Sequence, residues 1–388
     1  MSTIPKASDY VGDIPTGYDV EAIRSKFPGI KENVISMNNG AGSLVYGPAI
    51  EAYKEFAAYM NAEVDEIAFG QSSTALFRLL TQSLLPSLNS DSEIIVSVLC
   101  HEAGISSPLG ITIKWWAPPR EPGNTNPKLS LATLKPLLTL KTRLVACGHI
   151  NNNLGSIHAI REVADLVHTV PGALICVDGV AWAPHRPIDV KALDVDFYLF
   201  SWYKVFGPHL AQIYARRSVH QRYLTSLNHY HLDASTLDTK LAIGTNCHEL
   251  ENSLIPIMSY LGRVGWDQIA LYEEVISRPL LDYLNANPER YTLYGEKSSD
   301  PALRVSCISF EVNGVSSFDV AEQIHNTSTC RIVWGDNYSM MAIHDVLGIG
   351  EWGILRVSLV HYNTVEEVVT LIEVLDRVVT AKLEEMKS

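Results

Sequence analysis

Two short stretches, ICVDG at 175–179 and DFYLFSWYKVFGP at 196–208, decide how this chain of 388 residues is read. Each is an apolar run that ends in polar side chains: Asp178 closes the first, Ser201 and Lys204 the second. Runs that are apolar almost throughout, rather than alternating, are the pattern of strands covered on both faces. Similar runs occur at 94–99, 109–116, 144–147 and 212–215, with helix-period stretches between them. The alternation predicts an α/β fold with a mostly parallel, helix-covered central sheet. Between two of these runs, Ile157, Ile160, Val163, Ala164 and Val167 share one helical face, as a right-handed crossover requires. One interval resists the scheme. Only residues 100–108 separate the runs at 94–99 and 109–116, fewer than the roughly dozen a parallel crossover takes, so a shortened segment is expected there.

Downstream, 304–312 and 354–360 read as strands of a second, smaller domain. Thr364 and Glu367 form a capping box ahead of Val368, Leu371, Ile372, Leu375 and Val379, the signature of a closing amphipathic helix. A length of 388 residues with 47% hydrophobic content suits two closely docked domains. The formal net charge of −13, with no long Lys/Arg block, argues against nucleic acid as a partner. No apolar run approaches the ~20 residues of a membrane span. The first residues, MSTIPKASDYVGDIP, lack the apolar segment of a secretion signal, so a cytoplasmic protein is expected. The six cysteines are scattered without a CxxC pair, which predicts reduced, structural thiols and no metal site.

In open α/β sheets ligands bind beyond the carboxyl ends of the strands, so Asp178 and Lys204 are expected to face one crevice. A lysine drawn out of water is costly unless paired or neutralised, and one that loses its proton becomes a Schiff-base nucleophile. The alternative is a lysine that caps the strand end and points into water. An acid beside a pyridinium nitrogen keeps that nitrogen protonated, which makes pyridoxal phosphate an electron sink. Asp178 suits that role; an Asx-turn is its alternative. Upstream, FGQSST at 69–74 precedes an apolar helical run and offers free N–H groups and hydroxyls to a phosphate, although Ser and Thr cap helices everywhere. His101, just past a strand end, is a candidate to lie over a planar ring, or else a loop residue.

Taken in order, these motifs resemble the class V, fold-type-I pyridoxal phosphate enzymes that include the cysteine desulfurases. The likeness runs from Asn38-Asn39-Gly40 to Tyr362-Asn363-Thr364. It implies a large cofactor domain at 36–260, a small α+β domain at 261–388, and an arm at 1–35 packing with the small domain. It also implies that Lys204 carries pyridoxal 5'-phosphate, with Asp178 at the pyridine nitrogen and His101 on the ring. Ser72, Ser73 and Ser201 fall at the phosphate, Thr245 of a second subunit adds to it in a homodimer, and Tyr203 is a further cofactor-binding position. Asn152 falls near the phenolic oxygen, and Arg356 and Asn39 fall where the family holds substrate; a bidentate guanidinium is apt for a carboxylate.

Departures from the desulfurase pattern are as informative. Ala181 stands where desulfurases place a glutamine, and Tyr203 where they place a histidine. The loop that in desulfurases carries a mobile cysteine reads Gly335-Asp336-Asn337-Tyr338-Ser339, without a thiol; Cys330 lies nearby in strand-like surroundings. Stretches such as FGQSSTALFRLL and RVSLVHYNTVEEV are similar to a fungal decarboxylative-aldolase branch of the family, beside which 59–64 and 101–109 are short. That resemblance implies a lyase that removes the β-carboxylate of L-aspartate and adds the resulting enamine to an aldehyde, giving a γ-hydroxy amino acid. A conventional class V activity, C–S lysis or amino transfer, and a degenerate non-catalytic member are the alternatives.

Overall fold

The computed structural model describes residues 22, 25, 47–102, 111–228, 234–241, 243–244 and 247–386, with backbone alone for 47–51. Residues 1–56 and 57–388 are separate units, and both sheets lie in the second. The arm expected at 1–35 lies outside the described residues apart from Ala22 and Ser25.

The larger sheet is built from β1 (Ile67–Gly70), β2 (Glu93–Ser97), β3 (Thr112–Trp116), β4 (Thr142–Gly148), β5 (Leu174–Asp178), β6 (Phe197–Ser201) and β7 (Ala211–Ala215). Among the described residues its order is β1-β7-β6-β5-β4-β2-β3. The strands β3, β2, β4, β5 and β6 run parallel, while β7 is antiparallel to both β6 and β1. The sheet is therefore mixed, with the parallel core that the sequence predicted. Every residue of β6 and β7 is buried, the reason these strands read as continuous apolar runs. At the edge, β3 is largely uncovered and its Lys114 pairs with Glu93 of β2 at 2.7 Å, a charged device that suits an unpaired edge.

The short interval between β2 and β3 has a simple account. The strands are shorter than their apolar runs, ending at Ser97 and starting at Thr112, so the connection is long enough for a parallel crossover. Residues 103–110 lie outside the described residues. The other short segment, 59–64, closes as a turn in which the N–H groups of Met60 and Ala62 donate to the Ala57 carbonyl and Asn61 adopts a left-handed backbone (φ 55°).

Two helices cover this sheet near the site. Helix α1 (Ser73–Leu84) buries Leu76, Leu80 and Leu84 against Leu199 and Ile213. Helix α2 (Ile160–Val167) buries Ile160, Val163, Ala164 and Val167, the predicted face. It starts three residues later than expected: Ile157 bridges Ile150 instead, and the His158 N–H donates to the His149 carbonyl. That local pairing takes the backbone groups a helical turn would have used.

The smaller sheet has order β10-β11-β9-β8 and is antiparallel throughout, from β8 (Tyr291–Tyr294), β9 (Cys307–Val312), β10 (Val333–Gly335) and β11 (Ile354–Ser358). Both expected strands are found, trimmed at one end, while β1, β8 and β10 were not read from the sequence. Helices α3 (Trp266–Ala286), α4 (Ser317–Thr327) and α5 (Val365–Glu385) pack on it around Leu280, Phe310, Leu355 and Leu375. The capping box opens α5 as predicted: the Glu367 N–H donates to Thr364 Oγ1 at 3.2 Å and the Thr364 N–H to the Glu367 carboxylate at 3.0 Å. Among the described residues no helix is long and apolar enough to cross a membrane.

Candidate active site

The carboxyl ends of β2, β4, β5 and β6 share one edge of the sheet because these strands are parallel, and the cavity opens there. It is a small, half-open cavity. Its lining brings together Ser72, Ser73, His101, Asn152, Asp178, Ser201, Tyr203 and Lys204, eight of the expected site residues from five separate stretches of chain. Ala181 lines it as well. Asn39 and Thr245 lie outside the described residues.

Lys204 is placed by a tight turn at the end of β6. The Trp202 carbonyl accepts from the N–H groups of Val205 and Gly207 at 2.8 Å each, and Phe206 takes a left-handed backbone (φ 61°) to complete the reversal. The side chain is half-buried and faces the cavity rather than bulk water, which sets aside its reading as a solvated cap. Burial lowers the amine pKa; Asp178 opposes this, and the Arg356 charge adds to it. A neutral amine is thus more accessible at Lys204 than on a surface lysine.

Asp178 sits at the register position beside Gly148 of β4 and Leu199 of β6. Its Oδ1 accepts from the Val180 N–H at 2.9 Å, the Asx-turn considered from sequence, and the side chain nevertheless lines the cavity. Burial raises its pKa, while the Val180 N–H, His101 and Lys204 pull it down. A carboxyl so enclosed gains most from a cationic partner. The next residue must be glycine: a Cβ on Gly179 would run into the Tyr198 ring. Beneath, His149 stacks on Trp182 (3.8 Å, 10°), shares a 2.8 Å hydrogen bond with the Tyr198 hydroxyl, and donates its backbone N–H to the Asp178 carbonyl. Burial holds His149 at about 3 and His158 at about 4, both far below an ordinary imidazole.

At the other end of the cavity, the Ser73 and Ser201 hydroxyls are 2.7 Å apart and join the start of α1 to the end of β6. Ser72 is the N-cap of α1, its Oγ accepting from the Ala75 N–H at 3.1 Å. The capping role weighed from sequence is thus what its side chain does, while the first turn of α1 lines the cavity at Ser73 and Thr74. Free N–H groups at a helix start, with hydroxyls beside them, suit a phosphate. The amine, the enclosed carboxyl and the anion-friendly end together fit pyridoxal phosphate. Lys204 would hold its aldehyde carbon, Asp178 its ring nitrogen, and Ser73, Thr74 and Ser201 its phosphate.

Against Asn152 and His101, two of the lining residues, packs the segment 335–339. Asn153 Nδ2 donates to the Asp336 carbonyl, Asn152 Nδ2 to the Asn337 carbonyl, and the Glu102 N–H to the Tyr338 carbonyl, at 2.8, 2.8 and 2.9 Å. Asn337 Nδ2 returns to Asn153 Oδ1 at 2.9 Å, and Ser339 Oγ to Asn152 Oδ1 at 2.6 Å. Asn152, expected at the cofactor's phenolic oxygen, therefore lines the cavity with its amide already engaged by this strap. Arg356, in β11, donates from Nη1 to the Asn152 carbonyl at 3.1 Å, and its buried Nε has no acceptor among the described residues. Such a donor is apt for an incoming carboxylate. His101 lines the cavity with its ring 5.5 Å from that of Tyr338. Tyr203 stacks on His209 (5.2 Å, 8°).

No cysteine lines the cavity among the described residues. Cys330 lines a different cleft, against Ile332 and Leu359. All six cysteines are free; Cys100, Cys147, Cys176 and Cys307 are buried, and burial lifts the Cys100 thiol to about 12. Sequence reasoning missed the strap's anchorage and the His149–Trp182 stack. Three consecutive asparagines in HINNNLG, just after a strand, were the available signal for the first; the second has none, because the partners are far apart in the chain.

Comparison with known proteins agrees with this geometry. The cysteine desulfurase of Thermococcus onnurineus NA1, in its apo form, matches with a TM-score of 0.74 at 23% identity over 93% of this chain and 98% of that one. The cysteine desulfurase CsdA of Escherichia coli matches with a TM-score of 0.72 at 21% identity over 94% and 99%. The fold is thus that of the fold-type-I enzymes. In sequence, the nonribosomal peptide synthetase-like enzyme fsqF of Aspergillus fumigatus is 51% identical over 92% of this chain, which spans about a quarter (26%) of that protein's length. The cysteine desulfurase-like protein ustD of Aspergillus flavus is 47% identical over 93% of this chain and 91% of its own. The aminotransferase-like protein FGM3 of Gibberella zeae is 40% identical over 94% and 99%. The aminotransferase class-V family model matches residues 20–371, and the chain belongs to that family of pyridoxal phosphate enzymes.

Proposed function

We propose that this protein is a carbon–carbon bond-forming lyase that takes L-aspartate as donor and an aldehyde as acceptor. The observation that carries the reading is a cavity lining without a cysteine among the described residues. Sulfur removal requires a thiolate that reaches the substrate, and here the strap 335–339 beside Asn152 and His101 carries no cysteine and is tied down by side-chain amides. The relative ustD, 47% identical, is itself named only as cysteine desulfurase-like.

Bound pyridoxal phosphate supplies an electron-poor ring that draws charge from the carbons next to the amino nitrogen. Arg356 orients the amino acid through a carboxylate. Lys204 moves protons at Cα, and burial, which lowers its pKa, brings the neutral amine within easier reach. Overall the bond from Cβ to the side-chain carboxyl carbon breaks and carbon dioxide leaves. The bonding pair stays on Cβ and forms the new bond to the aldehyde carbon, whose oxygen takes one proton to become the γ-hydroxyl. The half-enclosed cavity limits water, which would otherwise protonate Cβ first.

The test is to give the holoenzyme L-aspartate with and without benzaldehyde. Carbon dioxide release and a γ-hydroxy amino acid are expected. Sulfide from L-cysteine, or amino transfer from aspartate to a keto acid without carbon dioxide, would overturn the reading.

A further inference from the structure

Tyr338 is one of the most exposed large side chains of the described residues, at 68%, yet its backbone is hydrogen-bonded at both its N–H and its carbonyl. Its N–H donates to Asp336 Oδ1 and its carbonyl accepts from Glu102, both at 2.9 Å. It also follows Asn337 in a left-handed backbone, with φ of 62° and 51°. For residues other than glycine each such conformation costs on the order of 1 kcal/mol, and it persists only where the surroundings impose it. Here the imposing groups are the amides of Asn152 and Asn153. An aromatic ring presented to solvent on a strained, anchored loop has its position fixed without being packed.

The ring's neighbour shows what that position serves. Its centroid is 5.5 Å from that of His101, inclined at 42°, and His101 lines the cavity. Tyr338 thus continues from His101, a lining residue, toward solvent. Lys204, Asp178 and Ser73 belong to the cofactor end, and Arg356 to the amino-acid carboxylate, which leaves the His101 side for the second reactant.

We infer that Tyr338 is a specificity-determining residue for the second substrate, forming with His101 an aromatic wall against which the aldehyde's apolar body rests. This rests on the two-substrate reading proposed above. An offset or edge-on ring contact favours a flat, apolar acceptor and leaves donor and cofactor binding alone.

The test compares wild type, Tyr338→Phe and Tyr338→Asn as holoenzymes; asparagine tolerates the left-handed backbone, so the loop is preserved. Benzaldehyde is the probe, with carbon dioxide from L-aspartate alone as the donor readout. Tyr338→Asn is expected to raise the KM for benzaldehyde about tenfold, the equivalent of ~1.4 kcal/mol, while donor carbon dioxide release stays within about twofold of wild type. Tyr338→Phe is expected to retain the wild-type KM. An unchanged benzaldehyde KM in Tyr338→Asn, or an equal loss in donor turnover, overturns the inference alone. Absence of carbon dioxide from the wild type overturns the two-substrate reading, and this inference with it.

Discussion

The two faces of the cavity are built in different ways. The Lys204 face is made of strand ends: Asp178 and Ser201 close parallel strands, and the lysine stands on a turn held by backbone hydrogen bonds. The side formed by Asn152 and His101 is backed by the strap 335–339, which has little regular structure and is held by the side chains of Asn152, Asn153 and Ser339. Strand ends keep their geometry when surface residues change, so they suit groups that every reaction on this cofactor needs. A strap fixed by a few amides can be rebuilt by a few substitutions, and so the choice of reaction can change while the cofactor's seat stays the same.

The largest expected effect breaks the strand-end face. Asp178→Asn keeps the shape and removes the charge, and turnover should fall on the order of 10³-fold, roughly 4 kcal/mol of barrier, with cofactor absorbance retained. Absorbance and kcat measured on the same sample check this.

Acid separates the faces next. His149 and His158 are held neutral by burial, at about 3 and about 4, below their value in the unfolded chain. The unfolded chain takes up protons first as pH falls, so the stability they represent is intact above about 6.5 and is lost progressively toward pH 4. Each histidine removes up to about 1.4 kcal/mol per pH unit in that window. Thermal unfolding of the apoenzyme from pH 7 to pH 5 should show the loss. The strap 335–339 itself contains no histidine, and its ties to Asn152 and Asn153 run through amides that do not titrate.

Arg356→Ala touches the seam between the faces. It should weaken amino-acid binding by about 2 kcal/mol, the worth of a charged hydrogen bond, and leave cofactor affinity unchanged; spectral titration with L-aspartate and with pyridoxal phosphate measures both. The smallest effect sharpens the comparison from the strap side. Asn153→Ala removes one donor to Asp336 and one acceptor from Asn337, which should lower stability by about 1–2 kcal/mol while raising the benzaldehyde KM in the same direction as Tyr338→Asn.

This contrast also governs how much was legible beforehand. The β5 and β6 strands, the crossover helix α2 and the α5 capping box announced themselves because buried strands and amphipathic helices leave periodic signals. Asp178 and Lys204 were readable as strand-end polar groups in that frame. The β10 strand is three residues long and β1 four, too short for periodicity to register. The strap was read correctly as lacking a thiol, but its rigidity was not, because the asparagines that hold it lie more than 180 residues away. Asn152 carries the same lesson: resemblance placed it at the cofactor, and the fold also commits it to the strap.

The central claim is that the Lys204 amine is the group that meets the cofactor's aldehyde carbon, and peptide mapping after borohydride reduction of the pyridoxal phosphate-loaded protein tests it most directly. The account predicts a single pyridoxyl adduct, on the peptide containing Lys204, with loss of the yellow colour. An adduct on another lysine, or a yellow protein that borohydride does not bleach, would contradict it.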